Sequence, residues 1–179
     1  MRFVVLDTET TGLNRKRRNG ISVCDGHRVI EIGCVEIVDG SVVDGFHSYI
    51  RADSVVDPAA TRVHGITDDF LMGKPSFHDV VGDFLSYIDG AVLIIHNAAF
   101  DIAFLNQEFS MLPMHKQPDR MFEFIDTLLL SRRLFPGQRN DLDSLCNRFG
   151  IKGRSGVHGA LLDAQLLALV YIELSKLNF

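Results

Sequence analysis

The stretch from Phe3 to Gly12, FVVLDTETTG, constrains this chain more than any other. It opens with an apolar, partly β-branched run, which predicts a central strand from Phe3 to Asp7 buried on both faces. Alternate side chains of a strand point to the same face, so Asp7 and Glu9 can aim at one point. Two acids at the carboxyl end of a buried strand are a common place for chemistry in α/β folds, but a solvated turn also favours Asp, Thr and Gly. The pair alone leaves both interpretations open.

Size and composition predict one globular domain. The chain has 179 residues, 46% of them hydrophobic, which is enough to bury a core. Met1 and Arg2 lead straight into the first strand, so we expect no signal peptide, and no apolar run approaches membrane-spanning length. The cysteines are scattered without metal-binding spacing, which predicts reduced thiols and a cytoplasmic protein; they are Cys24, Cys34 and Cys146.

Net charge is a weak guide to the partner. A charge of -5 argues against nucleic acid, because phosphate contacts need Lys and Arg. Divalent cations held by clustered carboxylates would neutralise the acids locally, so nucleic acid is not excluded. The basic run from Arg15 to Arg18 lies in a predicted loop, Leu13 to His27. It either contacts a phosphate backbone or is simply solvated.

Alternating and helical patterns predict the remaining elements. Further strands are predicted at Arg28 to Ile37, Ser41 to Ile50, Ala91 to Ile95 and Phe124 to Asp126. Helices are predicted at Phe77 to Ile88, Phe100 to Met111, Thr127 to Phe135, Asp141 to Phe149 and Gly159 to Ser175. An irregular segment is expected from Asp57 to Val63, before a short helical turn capped by Thr67. This order indicates an α/β fold with an antiparallel sheet edge and helices on both faces.

Further acids follow the second buried strand and open the last helix. Asp101 comes just after the strand that ends at Ile95, so it shares a crevice with Asp7 and Glu9 if the two strands are parallel neighbours. Near the start of the last helix, a Gly-flanked lead-in lets His158 turn toward the point that Asp163 faces. Both new acids are equally compatible with simple complementarity to a helix dipole, and the histidine with a cap.

The acid set indicates a hard divalent ion. Four carboxylates without a Cys-rich set favour Mg²⁺ or Mn²⁺. More than one acid per metal indicates two ions about 3.5–4 Å apart, an arrangement suited to in-line displacement at phosphorus. His158 stands beside an acid of this set, and a neutral imidazole can take the proton of an attacking water. The pattern therefore predicts metal-dependent phosphoryl chemistry.

Three motifs together resemble the DEDDh family of 3′→5′ exonucleases: DTETTG from Asp7, HNAAFD from His96 and HGALLD from His158. Three further stretches extend the match, and point to the proofreading (epsilon) subunits of bacterial DNA polymerase III; they are Arg28 to Glu36, Val63 to Ile66 and Phe135 to Gly137. The resemblance implies a ribonuclease-H-like α/β fold, with a five-stranded mixed sheet and a single exonuclease domain over residues 1–179. It also implies release of 5′-deoxynucleoside monophosphates from DNA 3′ ends.

The resemblance assigns roles to individual residues. Two Mg²⁺ or Mn²⁺ ions would be held by Asp7, Glu9, Asp101 and Asp163, with His158 as general base. Substrate contacts are implied for Thr10, Leu13, His64, His96, Asn97 and Phe100. The implied partners are single-stranded or frayed DNA 3′ ends, the polymerase (alpha) subunit and a small theta-like accessory subunit. Family members usually continue into a tail that binds the polymerase, so we expect this tail to be missing from a chain that stops at Phe179.

Three rival functions remain at this point. An RNA 3′-end exonuclease of the same family would carry the same acids, because a 2′-hydroxyl is read by the pocket. A non-catalytic subunit that stabilises a polymerase is disfavoured by the intact acid set and His158. A metal-dependent nucleotide phosphohydrolase would attack free nucleotides without needing a 3′ end.

Overall fold

The structure is a computed structural model that describes residues 1–14, 22–43, 45–113, 122–153 and 156–177. The basic run from Arg15 to Arg18, for which a loop was predicted, lies outside these residues. The strands are β1 Arg2–Thr10, β2 Val29–Val38, β3 Ser41–Val43, β4 His47–Tyr49, β5 Ala91–Ile95 and β6 Phe124–Asp126. The helices are α1 Pro58–His64, α2 Asp68–Leu71, α3 Phe77–Ile88, α4 Ala98–Ser110, α5 Thr127–Leu134, α6 Leu142–Phe149 and α7 Ala160–Ser175.

The strands form one mixed sheet, as predicted. Its order is β3-β2-β1-β5-β6, and β4 pairs with β2 beside β3. β1 runs antiparallel to β2 and parallel to β5, which is itself parallel to β6. The parallel pairing of β1 with β5 brings their carboxyl ends to the same edge of the sheet, which is where the sequence predicted a crevice.

The prediction of five strands was wrong in one detail, because the third strand is divided. β3 pairs Val43 with Glu36, whereas β4 pairs His47 with Gly33. The register of β4 against β2 is therefore shifted by one residue from that of β3, as at a β-bulge. A Cβ at Gly45 would lie 1.8 Å from the Cys34 carbonyl oxygen, so the bulge depends on glycine there.

A second correction concerns the segment after Asp57, which was predicted to be irregular and is the helix α1. Pro58 occupies the first turn, where its missing N–H costs nothing and its fixed φ suits a helix. The helix ends at Gly65, whose φ of 74° is the left-handed conformation typical of a glycine cap. Thr67 caps α2 as predicted, since its hydroxyl accepts a hydrogen bond from the Phe70 amide.

The sheet is covered on both faces, as the apolar runs of β1 and β5 predicted. Val4 and Leu6 pack on one face with residues of α3 and α4, including Phe84 and Phe104. Val5 points to the other face and packs against α7. In the part of the chain described, no helix is both long enough and apolar enough to span a membrane.

Candidate active site

Asp7 and Glu9 project toward α7. They share the face of β1 with Val5, which packs against Ala164 and Leu167 of that helix. Asp7 lies opposite Gly33 of the neighbouring strand β2. Burial raises the pKa of Asp7, and the nearby charges of Asp101, Glu9 and Asp163 raise it further. The electrostatics thus place four acids from three separate elements in one site.

Gly33 lets α7 come close to this end of the sheet. A Cβ at Gly33 would lie 2.2 Å from the Leu161 backbone nitrogen and 2.5 Å from the Ala160 carbonyl oxygen. The first turn of α7 therefore rests directly on the backbone of β2. That turn carries Asp163, which is buried beside the end of β1.

His158 is oriented by two contacts. Its backbone N–H donates to the Val63 carbonyl at 2.9 Å, and its Nδ1 lies 3.2 Å from Asp163 Oδ2. An ionised carboxylate can only accept, so a neutral His158 bonded to it carries its hydrogen on Nδ1 and keeps the lone pair of Nε2. The ring is partly exposed, and Nε2 is the nitrogen that can take a proton from a bound water.

Asp101 completes the acid set from the first turn of α4. The Thr8 hydroxyl donates to its Oδ1 at 2.8 Å, and the side chain is buried. Burial raises the pKa of Asp101 to about 7, although the Thr8 hydrogen bond opposes this shift. Because the raised pKa favours the protonated acid, a cation bound beside Asp101 would strongly favour its ionised carboxylate form.

These residues fit a divalent metal. Ligand atoms of Glu9, His158 and Asp163 all lie within 4.8 Å of one another. Asp7 and Asp101 stand beside this group, with pKa values raised by burial. The donors are almost all carboxylate oxygens, which suit Mg²⁺ or Mn²⁺ better than a soft ion.

The acid set predicts a pH-dependent stability for the metal-free protein. Asp101 binds its proton more tightly in the folded state, with a pKa of about 7, than in the unfolded chain, at about 3.9. The free energy of unfolding should therefore fall as pH rises from about 4 to about 7. We expect a lower Tm at pH 8 than at pH 5.5 in EDTA, by roughly several degrees, and Mg²⁺ should remove much of this difference. A Tm difference between the two pH values that Mg²⁺ leaves unchanged would contradict the description of the site.

Sequence reasoning missed Glu31. It lies opposite Glu9 on β2, is buried, and its Oε1 is 2.8 Å from Nε2 of His47. Its charge also raises the pKa of Asp7. The signal was present, because an acid inside an apolar strand rarely stays buried without a partner. We expect this pair to support the site from beside Glu9, on the same face of the sheet.

A cleft of about 530 Å³ opens beside the carboxylates. Of the residues predicted to contact substrate, it brings four together at the end of β1, α1 and α4; they are Thr10, Leu13, His64 and Phe100. Leu13 is 39% exposed and offers an apolar surface there. Glu9 also lines the cleft, so a ligand bound in the cleft would lie directly beside the acid set.

His64 is buried and held at both ring nitrogens. The Ile66 amide donates to Nδ1, so the hydrogen is on Nε2, which donates to the Thr10 carbonyl at 3.1 Å. Burial lowers the pKa of His64, which keeps the ring neutral in this arrangement. Its hydrogen bonds fix the backbone where β1 ends, at the floor of the cleft.

His96 and Asn97 lie apart from this cleft, at the carboxyl end of β5. His96 Nδ1 donates to the Thr127 hydroxyl at 2.9 Å, because that hydroxyl donates onward to the Ile95 carbonyl. Burial lowers the pKa of His96. Both residues line a second cavity, of about 460 Å³, together with residues of α5 and the loop that follows it.

Comparisons with known proteins agree with this geometry. The family model described as "Exonuclease" matches residues 4–171. The DNA polymerase III subunit epsilon of Salmonella typhimurium is 48% identical over 177 residues, covering 97% of this chain and 71% of the relative.

Solved structures show the same fold. Exonuclease X in complex with 5′ overhanging duplex DNA has a TM-score of 0.73 at 27% identity, covering 98% of this chain and 92% of that one. The nuclease domain of 3′hExo, a DEDDh family member bound to rAMP, has a TM-score of 0.81 at 16% identity, covering 99% and 92% of the two chains. The resemblance predicted from the three motifs and the ribonuclease-H-like fold are confirmed.

Proposed function

Since the chain belongs to the exonuclease family and is a 3′→5′ exonuclease, we propose that it proofreads DNA, with its four carboxylates and His158 as the catalytic group. The observation that carries the proposal is the convergence of Asp7, Glu9, Asp101 and Asp163 beside a cleft large enough for a nucleotide. The family depends on divalent metal ions. For this chain, we propose that two Mg²⁺ or two Mn²⁺ ions bind at the four carboxylates.

The proposed roles follow from the contacts. Asp7, Glu9, Asp101 and Asp163 would hold the ions, which when bound supply charge stabilisation to the phosphoryl oxygens and lower the pKa of the attacking water. Asp101 is kept in place by Thr8, and Asp163 by the first turn of α7. This support from regular elements lets the acids keep their spacing while charge develops at phosphorus.

His158 acts as general base in this proposal. Its Nδ1 lies 3.2 Å from Asp163 Oδ2, so a neutral ring with its hydrogen on Nδ1 keeps the lone pair of Nε2 available for a proton from water. Only a proton moves to the ring, and the oxygen that loses it attacks phosphorus. The 3′ oxygen of the preceding nucleotide leaves, which yields a 5′-monophosphate and a strand shorter by one nucleotide.

The cleft would hold the terminal nucleotide. Leu13 and Phe100 supply apolar surface for a base, and the Thr10 backbone, fixed by His64, stands where a terminal hydroxyl can be bound. A mismatched end reaches such a cleft more readily than a paired one, because unpairing costs less there. This difference would give a proofreading enzyme its preference for mismatched over matched 3′ ends.

The proposed partners follow from the relatives. The curated relatives are named as subunits of DNA polymerase III, and we propose that this chain likewise works with a polymerase (alpha) subunit and a small theta-like subunit. We place it in the cytoplasm. Its cysteines, Cys24, Cys34 and Cys146, all lie in the described part of the chain and form no disulfide, which suits a reducing compartment.

The function is tested with primer–templates that differ only at the 3′ base. In Mg²⁺, we expect stepwise shortening that is several-fold faster on the mismatched primer than on the matched one. An RNA strand of the same sequence serves as the comparison for substrate class. Equal rates on both primers would remove the proofreading role, and a faster rate on RNA would favour an RNA exonuclease.

A further inference from the structure

The second cavity, of about 460 Å³, lies at the carboxyl ends of β5 and β6. We propose that it binds the sugar-phosphate backbone of the DNA strand on the 5′ side of the scissile bond. This inference rests on the proposed function, because it concerns the part of the same substrate that the first cleft does not hold. The cavity is lined by His96, Asn97, Leu128, Arg132, and the residues of the loop from Gln138 to Asp141.

The order of the strands in the sheet indicates the path of the DNA strand between the two cavities. The first cleft lies at the end of β1, whereas the second cavity lies beyond β5, at β6 and the start of α5. Asp101, in the first turn of the helix α4 that follows β5, stands between them. If the terminal nucleotide occupies the first cleft and its phosphate meets the acids, the rest of the strand can continue across the end of β5 into the second cavity.

The charge of the cavity suits phosphate. Arg132 is exposed in the last turn of α5, and no ion pair joins it to any residue in the described ranges. The acids nearby are already engaged: Asp126 caps α5 and accepts from the Ala98 amide, and Asp141 caps α6 and pairs with Arg139 at 3.1 Å. Among the described residues, Arg132 therefore keeps a positive charge without an ion pair, although the chain as a whole has a net charge of -5. Such a charge can bind a phosphate.

The loop that closes the cavity is held in shape by Arg148. Its guanidinium donates to the Asn140 and Gln138 side chains, at 3.1 and 3.0 Å, and to the Arg139 carbonyl at 2.9 Å. The same group lies over the Phe135 ring, 4.2 Å from its centroid. A loop fixed in this way loses little conformational entropy when it binds a strand.

The wall nearer the acids also suits a nucleotide. Asn97 has a φ of 67°, an uncommon conformation for a residue other than glycine, and its side chain forms no helix-cap hydrogen bond. His96 lies beside it, and hydrogen bonds with the Thr127 hydroxyl and the Asn140 backbone hold its ring between α5 and the loop that closes the cavity.

The test compares Arg132→Gln with Arg133→Gln on two substrates. Arg133 is the matched control, because it is an exposed arginine on the same helix that does not line the cavity. One substrate is a single-stranded DNA oligonucleotide, and the other is the p-nitrophenyl ester of thymidine 5′-monophosphate, which has no upstream phosphate. For Arg132→Gln we expect KM on DNA to rise about 5- to 10-fold, with a salt slope smaller by about 0.7, and a much smaller effect on the ester.

Each outcome separates the two claims. Equal KM values for both variants on DNA, or an equal loss on DNA and ester, would overturn the upstream site and leave the proposed function intact. If wild-type protein cleaves neither substrate in Mg²⁺, the proposed function fails, and the upstream site fails with it.

Discussion

Asp7→Asn is expected to lower kcat for removal of a 3′ nucleotide by at least about 1,000-fold, because it removes roughly 4 kcal/mol of transition-state stabilisation. Asp7 is the acid whose pKa is raised by burial and by four neighbouring acids. The Asp7 carboxylate therefore lies at the centre of the acid set, where its negative charge would contribute to binding the cations. The measurement is kcat on a single-stranded DNA oligonucleotide at saturating Mg²⁺.

The fold should survive this change. Asparagine has nearly the same shape, and it removes repulsion from the acid set, so Tm of the metal-free variant should equal or exceed that of the wild type. Asp83→Asn is the matched control, since Asp83 is an exposed acid of α3 far along the chain from the site. A variant of Asp7 that kept a tenth or more of wild-type activity would refute the assigned role.

The variant His158→Gln distinguishes two roles for the histidine, general base and metal ligand. A general base contributes about 10²- to 10⁴-fold to the rate, and its loss should leave Mn²⁺ affinity close to that of the wild type. The position of His158 among potential ligand atoms also allows direct coordination. A large loss of Mn²⁺ affinity in this variant would make His158 a ligand instead.

Gly33→Ala is expected to have the second large effect. The new methyl would meet the backbone of Ala160 and Leu161 at 2.2–2.5 Å, and backbone at such distances must move. Overpacking of this kind costs about 1–3 kcal/mol, which should lower Tm by roughly 3–10 °C. The first turn of α7 carries Asp163, and a shift of about 1 Å in the site should reduce kcat by roughly 100-fold.

Gly82→Ala is the control for the same substitution. Gly82 lies within α3, and a Cβ there would meet no atom within 4 Å. Alanine is the better helix former, so this variant should gain up to about 1 kcal/mol of stability and keep full activity. A Gly33→Ala protein with wild-type Tm and kcat would show that α7 does not depend on this contact.

The elements with strong periodic signals were predictable. Apolar runs of the length of a strand gave β1 and β5, and the i, i+3, i+4 pattern gave α3 within the bounds observed. The bulge at Gly45 was not predictable in the same way, because it depends on the approach of Gly45 to the Cys34 carbonyl in the folded chain. The helix α1 has end signals in Pro58 and Gly65, but its 7 residues are too few for a clear periodic pattern.

The chemistry of the site was predictable where an acid stands at a strand end or a helix start. Asp7, Glu9, Asp101 and Asp163 all satisfy that rule. Glu31 does not, because it lies within β2 and is brought to the site by the pairing of β2 with β1, which sets it opposite Glu9. The separation of His96 and Asn97 from the first cleft likewise depends on the sheet order, which the motifs do not contain.

The most direct test of the central claim follows a 5′-labelled single DNA strand through time with the wild-type protein. The four-carboxylate site predicts a ladder that shortens by one nucleotide at a time from the 3′ end. It also predicts release of 5′-monophosphates, strict dependence on Mg²⁺ or Mn²⁺, and no cleavage in EDTA. Internal fragments, or shortening that continues at the same rate in EDTA, would contradict a metal-dependent 3′→5′ exonuclease.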